Sequence, residues 1–164
     1  MEKSANGFRT PFYDLVNESL PGMIRLARSI AGLNDAEDIV QETLIIAWKK
    51  LPGLKQPEKF PWWIRRILVR RAVSFARKNR NSLTLPEEIP ADPFYPDSML
   101  DIEKALSILA PRQRAVLHMT VIEGMSDGEI ASILKIRAGS VRAHRRRARK
   151  KLNHFLGEYD EKSG

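Results

Sequence analysis

Residues 106–156 read LSILAPRQRAVLHMTVIEGMSDGEIASILKIRAGSVRAHRRRARKKLNHFL, and the spacing within them decides the fold. The pattern gives a helix, a short EGM link, a second helix, a tight turn and a long third helix. Ser126 followed by Glu129 is a capping box ahead of EIASIL: the hydroxyl and the carboxylate each satisfy a backbone N–H that the first turn leaves without a partner. Ala131 is small where two helices must cross closely. After Leu134 a turn of three or four residues leads to a helix starting near Gly139 and Ser140, with Val141, Ala148, Leu152 and Phe155 turned inward. That is helix-turn-helix spacing, in which the second helix enters a DNA major groove by its N-terminal residues. A plain trihelical core satisfies the same spacing.

The charge of the third helix bears on that choice. Seven of the thirteen residues 140–152 are Lys or Arg, and no acidic residue falls between Glu129 and Glu158. A basic run of this kind is a solvated face, a general polyanion binder or a reading surface, and charge runs are most often solvated. What surrounds the run has to decide.

At 164 residues and 43% apolar composition the chain can bury one core or two small ones. A net charge of +8 favours a polyanionic partner, nucleic acid first and an acidic membrane surface second. The absence of Cys excludes disulfide scaffolds, thiolate zinc sites and Cys catalysis, and agrees with a reducing cytoplasm. No apolar run is long enough to span a membrane, and the N-terminal stretch lacks a signal-peptide core, so a cytoplasmic location is expected. Charge is segregated: residues 1–78 hold 14 basic and 8 acidic side chains, residues 79–103 hold 1 and 6, and residues 104–164 hold 13 and 6. The acidic piece also carries Pro86, Pro90, Pro93 and Pro96, the composition of an extended tether. The expected organisation is all-α, with two small helical modules joined by an acidic, Pro-rich linker.

In the first module, NDAEDIVQETLIIAWKKL places Ala36, Ile39, Val40, Thr43, Leu44, Ala47, Trp48 and Leu51 on one broad stripe at three- and four-residue steps. Asn34 is the expected N-cap, with acids in the first turn and Lys49 and Lys50 in the last. Asp38, Gln41, Glu42 and Ile45 form a second stripe, acidic at one end and apolar at the other. Such acids on an arbitrary helix usually just complement its dipole on a solvated face; they also suit a basic partner helix. FPWWIRRILVRRAVSFARKNR follows, with Pro61 suited to a first turn, Trp63, Ile64, Ile67, Leu68, Ala72, Phe75 and Ala76 inward, and arginines elsewhere. Trp62 and Trp63 are core residues or stacking platforms for unpaired bases, whose phosphates the neighbouring cations would track. Upstream, Pro21-Gly22 interrupts a helical pattern and predicts a break or kink, and Gly32 suits a helix end.

These segments together resemble a known family. DAEDIVQETLIIAW is similar to the core-polymerase-binding segment of extracytoplasmic-function (group 4) sigma factors of the sigma-70 family. FPWWIRRILVRRAVSFARK is similar to their promoter-melting and −10 helix, and residues 109–152 to their −35-binding helix-turn-helix. The matches cover just under half of the chain, in the family's order on both sides of a linker. The resemblance implies a sigma-2-like domain at 1–80, a flexible linker at 81–102 and a sigma-4-like domain at 103–164. It implies an alternative sigma factor that binds core RNA polymerase, recognises −35 and −10 elements and nucleates melting.

The resemblance also assigns residues. Asp38, Gln41, Glu42 and Ile45 would dock on the clamp helices of the largest polymerase subunit, and the second module would meet the flap of the second-largest. Lys55, in the loop 53–59, with Trp62, Trp63, Arg66, Arg70 and Arg77, would hold −10 DNA and capture a flipped base, whose unstacking costs a few kcal/mol. Arg142, Ala143 and Arg146 would read −35 base edges, a bidentate Arg–guanine contact giving roughly 1–3 kcal/mol of discrimination. Arg137, Ser140, Arg147 and Lys150 would hold phosphates, which position without specifying. An anti-sigma factor is an expected partner, and neither cofactor nor metal is expected.

The chain departs from the family at Arg70, where Asn is usual, and at Lys135, where the turn Gly is usual. Lys135 must adopt a left-handed conformation at about 1 kcal/mol or reshape the turn. Ala143 and His144 replace a usual Ser and Arg, and Arg145 occupies an inward, normally apolar position. The acidic linker would run along the polymerase's RNA path and mimic nucleic acid there. Other readings are a sigma-like mimic that sequesters an anti-sigma factor, or a helix-turn-helix transcriptional regulator. The regulator leaves the first module unexplained, and the mimic leaves the cations of the third helix without a task. His118, His144 and His154 lack metal-ligand spacing with acids, and no phosphate loop or nucleophile elbow occurs, so no enzyme is expected.

Overall fold

The computed structural model describes residues 3–79 and 104–163; the linker expected at 81–102 lies outside them. Among the described residues every regular element is helical. The order is α1 (Lys3–Ala31), α2 (Ala36–Lys50), two 3-10 turns (Leu51–Gly53 and Pro57–Lys59), α3 (Phe60–Asn79), a helical turn at 104–107, α4 (Pro111–Val121), α5 (Asp127–Leu134) and α6 (Ala138–Ser163).

α1 is not broken at Pro21-Gly22, contrary to the sequence expectation. Pro inside a helix costs about 3 kcal/mol through its lost N–H and its ring clash. Met23, Leu26, Ala27 and Ile30 are buried in the next two turns, and a buried Leu or Ile contributes about 1.5–3 kcal/mol each. Their burial outweighs the local penalty, and Pro21 itself sits on the exposed face. The helix then stops at Gly32, whose φ of +90° is the left-handed C-terminal conformation, its N–H donating to Arg28 O at 2.9 Å.

α2 begins one residue later than expected. Asp35, not Asn34, is the N-cap, and its side chain makes no capping hydrogen bond. The acids Glu37 and Asp38 still lie at the positive end of the helix dipole. Ala36, Ile39, Val40, Thr43 and Ala47 are buried as the stripe predicts, and the Thr43 hydroxyl is satisfied by Ile39 O at 2.7 Å. Trp48 is 40% exposed instead of core, packed edge-on against Phe12 at 5.0 Å.

α3 packs on both α1 and α2 through Phe60, Ile64, Leu68, Ala72 and Ala76. It carries a second buried pair, Val69 and Val73, which the sequence stripe omitted. α3 also contacts α4 and α5, and α1 contacts α4, so the two modules share a seam. A continuous apolar cluster runs from Val16 in α1 to Val141 in α6.

In the second module the capping box forms as read: Glu129 N–H donates to Ser126 Oγ at 3.2 Å, and Ser126 N–H to Glu129 Oε2 at 2.8 Å. Lys135 takes the left-handed conformation, with φ 54° and ψ 49°, and its N–H caps α5 at Ala131 O. The turn therefore keeps its shape without Gly. α6 begins at Ala138, with Val141 and Ala148 fully buried against the module core.

Candidate nucleic-acid interface

On α2 the side chains of Asp38, Gln41, Glu42 and Ile45 are all exposed, Ile45 at 55%. The four side chains thus form one exposed stripe, acidic at one end and apolar at the other. Glu42 is already engaged: Arg71 of α3 donates its Nε to Glu42 Oε2 at 2.7 Å, with Nη2 at 2.6 Å.

The residues expected at the −10 element gather along α3 and the loop before it. Lys55 is exposed between the two 3-10 turns. Trp62 and Trp63 are half-buried and pack on the core, Trp63 against Phe60 with ring centroids 5.8 Å apart. Arg66 is half-buried, while Arg70 and Arg77 are exposed. Burial, then the neighbouring Arg66 guanidinium, lowers the pKa of Arg70 from its ordinary value. Arg71 belongs to the same basic helix but faces α2, where Glu42 engages it.

On α6 the exposed face carries Arg142, Arg146 and Lys150 at four-residue steps, a single ridge from the helix start. Ala143 lies at its half-buried edge, Ser140 is half-buried, and Arg137 and Arg147 are exposed. The side chain of Arg142 stays 59% exposed and passes Asp127 Oδ2 at 3.7 Å.

Arg145, the cation at an inward position, finds a partner inside the motif. Its Nη1 donates to Asp127 Oδ1 at 2.5 Å and its Nη2 to Asp127 Oδ2 at 3.3 Å, a two-pronged carboxylate contact. This hydrogen bond is the main reason the Asp127 pKa is lowered and the Arg145 pKa raised. Arg145 thus braces the first turn of α5 against α6. His144 beside it is held below its usual range, first by burial and then by the charges of Arg112, Arg147 and Arg77.

Sequence reasoning missed the seam. Arg65 of α3 donates Nε and Nη2 to Glu123 Oε1 at 3.1 and 3.0 Å. Arg114 of α4 donates Nη1 to Ile30 O, the last turn of α1, at 2.8 Å. Ser29 Oγ lies 2.6 Å from His118 Nδ1 and also donates to Arg25 O at 3.1 Å. Burial, then Arg25 and Arg65, lowers His118 to a pKa of about 4, so the ring is neutral near pH 7. Val121 and Ile122, just beyond, are exposed at 62% and 63%. A warning was present in the sequence: Glu123 is the sole acid between Lys104 and Ser126.

The first module thus carries an exposed acidic stripe and a basic helix, and the second a helix-turn-helix with a cationic ridge. A sigma-70 region 2 model matches residues 15–82, and a sigma-70 region 4 model matches residues 99–152. The chain belongs to the sigma-70 family, in its extracytoplasmic-function group. It is 32% identical over 163 residues to the ECF RNA polymerase sigma factor SigE of Mycolicibacterium smegmatis, with 92% of this chain and 63% of that protein aligned. The chain thus spans less than two-thirds of that relative's length. The sigma factor RpoE of Bartonella quintana, solved in complex with the anti-sigma factor NepR, superposes with a TM-score of 0.71 at 25% identity, covering 89% of this chain and 96% of RpoE. CnrH, solved with the cytosolic domain of CnrY, gives 0.70 at 26% identity, covering 96% and 94%.

Proposed function

We propose that the chain is an alternative sigma factor that docks on core RNA polymerase, places its two modules on the −35 and −10 elements, and traps unpaired bases to start melting. The observation that carries this reading is the pairing, in one chain, of the exposed Asp38/Gln41/Glu42/Ile45 stripe with the exposed Arg142/Arg146/Lys150 ridge. The stripe docks on the clamp helices of the largest subunit, and the second module on the flap of the second-largest. Arg142, Ala143 and Arg146 read base edges, while Arg137, Ser140, Arg147 and Lys150 hold phosphates. Lys55, Trp62, Trp63, Arg66, Arg70 and Arg77 hold the melted −10 strand. The domain limits remain those drawn from the sequence, 1–80 and 103–164 about the linker. The chain works in the cytoplasm, supplies no catalytic group, and is held in check by an anti-sigma factor.

The seam adds a step. Elements centred near −35 and −10 lie roughly 25 base pairs apart, about 85 Å along duplex DNA at 3.4 Å per pair. Modules in which α3 touches α4 and α5 cannot span that distance, so this closed arrangement belongs to the free chain and promoter binding separates the modules.

The test is a core-polymerase binding measurement on the full chain carrying Asp38→Lys and Glu42→Lys. Core binding falls at least tenfold while affinity for duplex −35 DNA stays within twofold. Equal core affinity would remove the stripe from the account. Arg71→Ala, which frees Glu42 from an exposed ion pair worth about 0–1 kcal/mol, leaves core binding unchanged or up to about fivefold tighter.

A further inference from the structure

One end of the seam is closed by paired charges, and the other by charges of one sign. An open cavity of about 270 Å³ is lined by Arg70, Ser74, Arg77 and Lys78 of α3, by Arg112 of α4, and by the apolar Val73 and Leu134. Arg70, Ser74 and Arg77 fall at i, i+4 and i+7, one face of α3, and Arg112 meets them from the other module. At the other end the Arg65 cation is neutralised by Glu123, the two side chains coming from different modules. No described carboxylate pairs with Arg70, Arg77, Lys78 or Arg112. Four cations drawn from two modules into one cavity repel one another, and the repulsion opposes closure unless an anion is present. The positive potential reaches beyond the cavity, since Arg112 and Arg77 both depress His144.

We propose that this cavity is a phosphate site: a compact anion bearing two or three phosphoryl groups binds Arg70, Arg77, Lys78 and Arg112 together and locks the two modules closed. Guanidinium groups match phosphate oxygens in a two-pronged geometry, and Lys78 supplies a point charge. The volume lies just under the roughly 300 Å³ at which drug-sized sites begin, so a di- or triphosphoryl group fits better than a whole nucleotide inside it. The phosphoryl groups come either from a free anion or from a nucleic-acid backbone. A free anion bound here favours the closed chain and opposes promoter engagement, because any ligand that binds one state only shifts the equilibrium towards it.

Calorimetry on the full chain with sodium pyrophosphate tests this, with sodium sulfate at matched ionic strength as reference and a twelve-residue oligothymidylate as the second phosphate source. The variants are Arg112→Gln, which removes the cation that the −10 assignment does not use, and Ser74→Asp, which places a carboxylate in the cavity. Pyrophosphate binds the native chain at least tenfold tighter than sulfate, both variants weaken it at least tenfold, and scattering shows the native chain becoming more compact. Circular dichroism confirms that each variant keeps its helices, and either variant alone suffices. If pyrophosphate fails but oligothymidylate binding needs Arg112, the phosphate source is a nucleic-acid backbone. If sulfate matches pyrophosphate, or neither probe responds to the variants, there is no site and the proposal falls.

Discussion

Arg65 and Glu123 stand on different modules, 58 residues apart in sequence, and Arg65 Nε and Nη2 both donate to one oxygen of Glu123. The side chains are only 25% and 10% exposed, so this pair is shielded more than a surface bridge is. Removing one partner strands the other in a partly dry seam. Glu123→Ala therefore shifts the free chain towards separated modules, seen as a larger radius of gyration by X-ray scattering. Glu123→Gln, which keeps an acceptor, does so less. An unchanged radius in both variants would mean that other contacts hold the seam.

His118 makes the seam sensitive to acid. Its folded-state pKa of about 4 lies below the ordinary 6.5, so between those values the unfolded chain binds the extra proton. Stability is complete above 6.5, falls as the pH drops towards 4, and loses nothing further from this group below that. Inside the window each pH unit costs at most about 1.4 kcal/mol. His118→Gln keeps a polar contact to Ser29 but cannot titrate, so its stability changes less steeply between pH 6.5 and 4 than that of the native chain. Parallel profiles from chemical denaturation would contradict this.

Arg145 and Asp127 act as one unit that orients α6. Arg145→Met and Asp127→Asn each lower the thermal midpoint and weaken −35 DNA binding. Because they break the same contact, the double variant falls no further than the larger single effect. Additive losses would show that Arg145 touches DNA itself.

In the proposed function Arg70 is one of the α3 residues at the −10 strand, and a guanidinium donates without accepting. Arg70→Asn restores an acceptor. The base preferred at one −10 position then changes by roughly 5- to 150-fold, the span of about 1–3 kcal/mol for one side-chain–base contact. Transcription from a promoter library randomised at −10 measures this, and an unaltered preference would move Arg70 to the backbone.

The sequence carried what each module settles within itself. The i, i+3, i+4, i+7 spacing of Asp38, Gln41, Glu42 and Ile45 read correctly as one exposed face, and Ser126 with Glu129 as a capping box. Local chemistry was overruled where burial was larger, as at Pro21-Gly22, which four buried side chains carry through. Val69 and Val73 went unseen because α3 packs against helices of both modules, and a helical period marks only one buried stripe. Arg145 was recognised as misplaced, yet no helical period pointed to its partner Asp127, eighteen residues away in sequence. The residue roles assigned by resemblance now have positions, which the variants above put to the test.

The most direct measurement mixes the purified chain with core RNA polymerase and supercoiled genomic DNA and maps the transcript starts. The account predicts new starts, absent with core alone, preceded by a shared pair of sequence elements at −35 and −10. No core binding, or core binding without new starts, would contradict it.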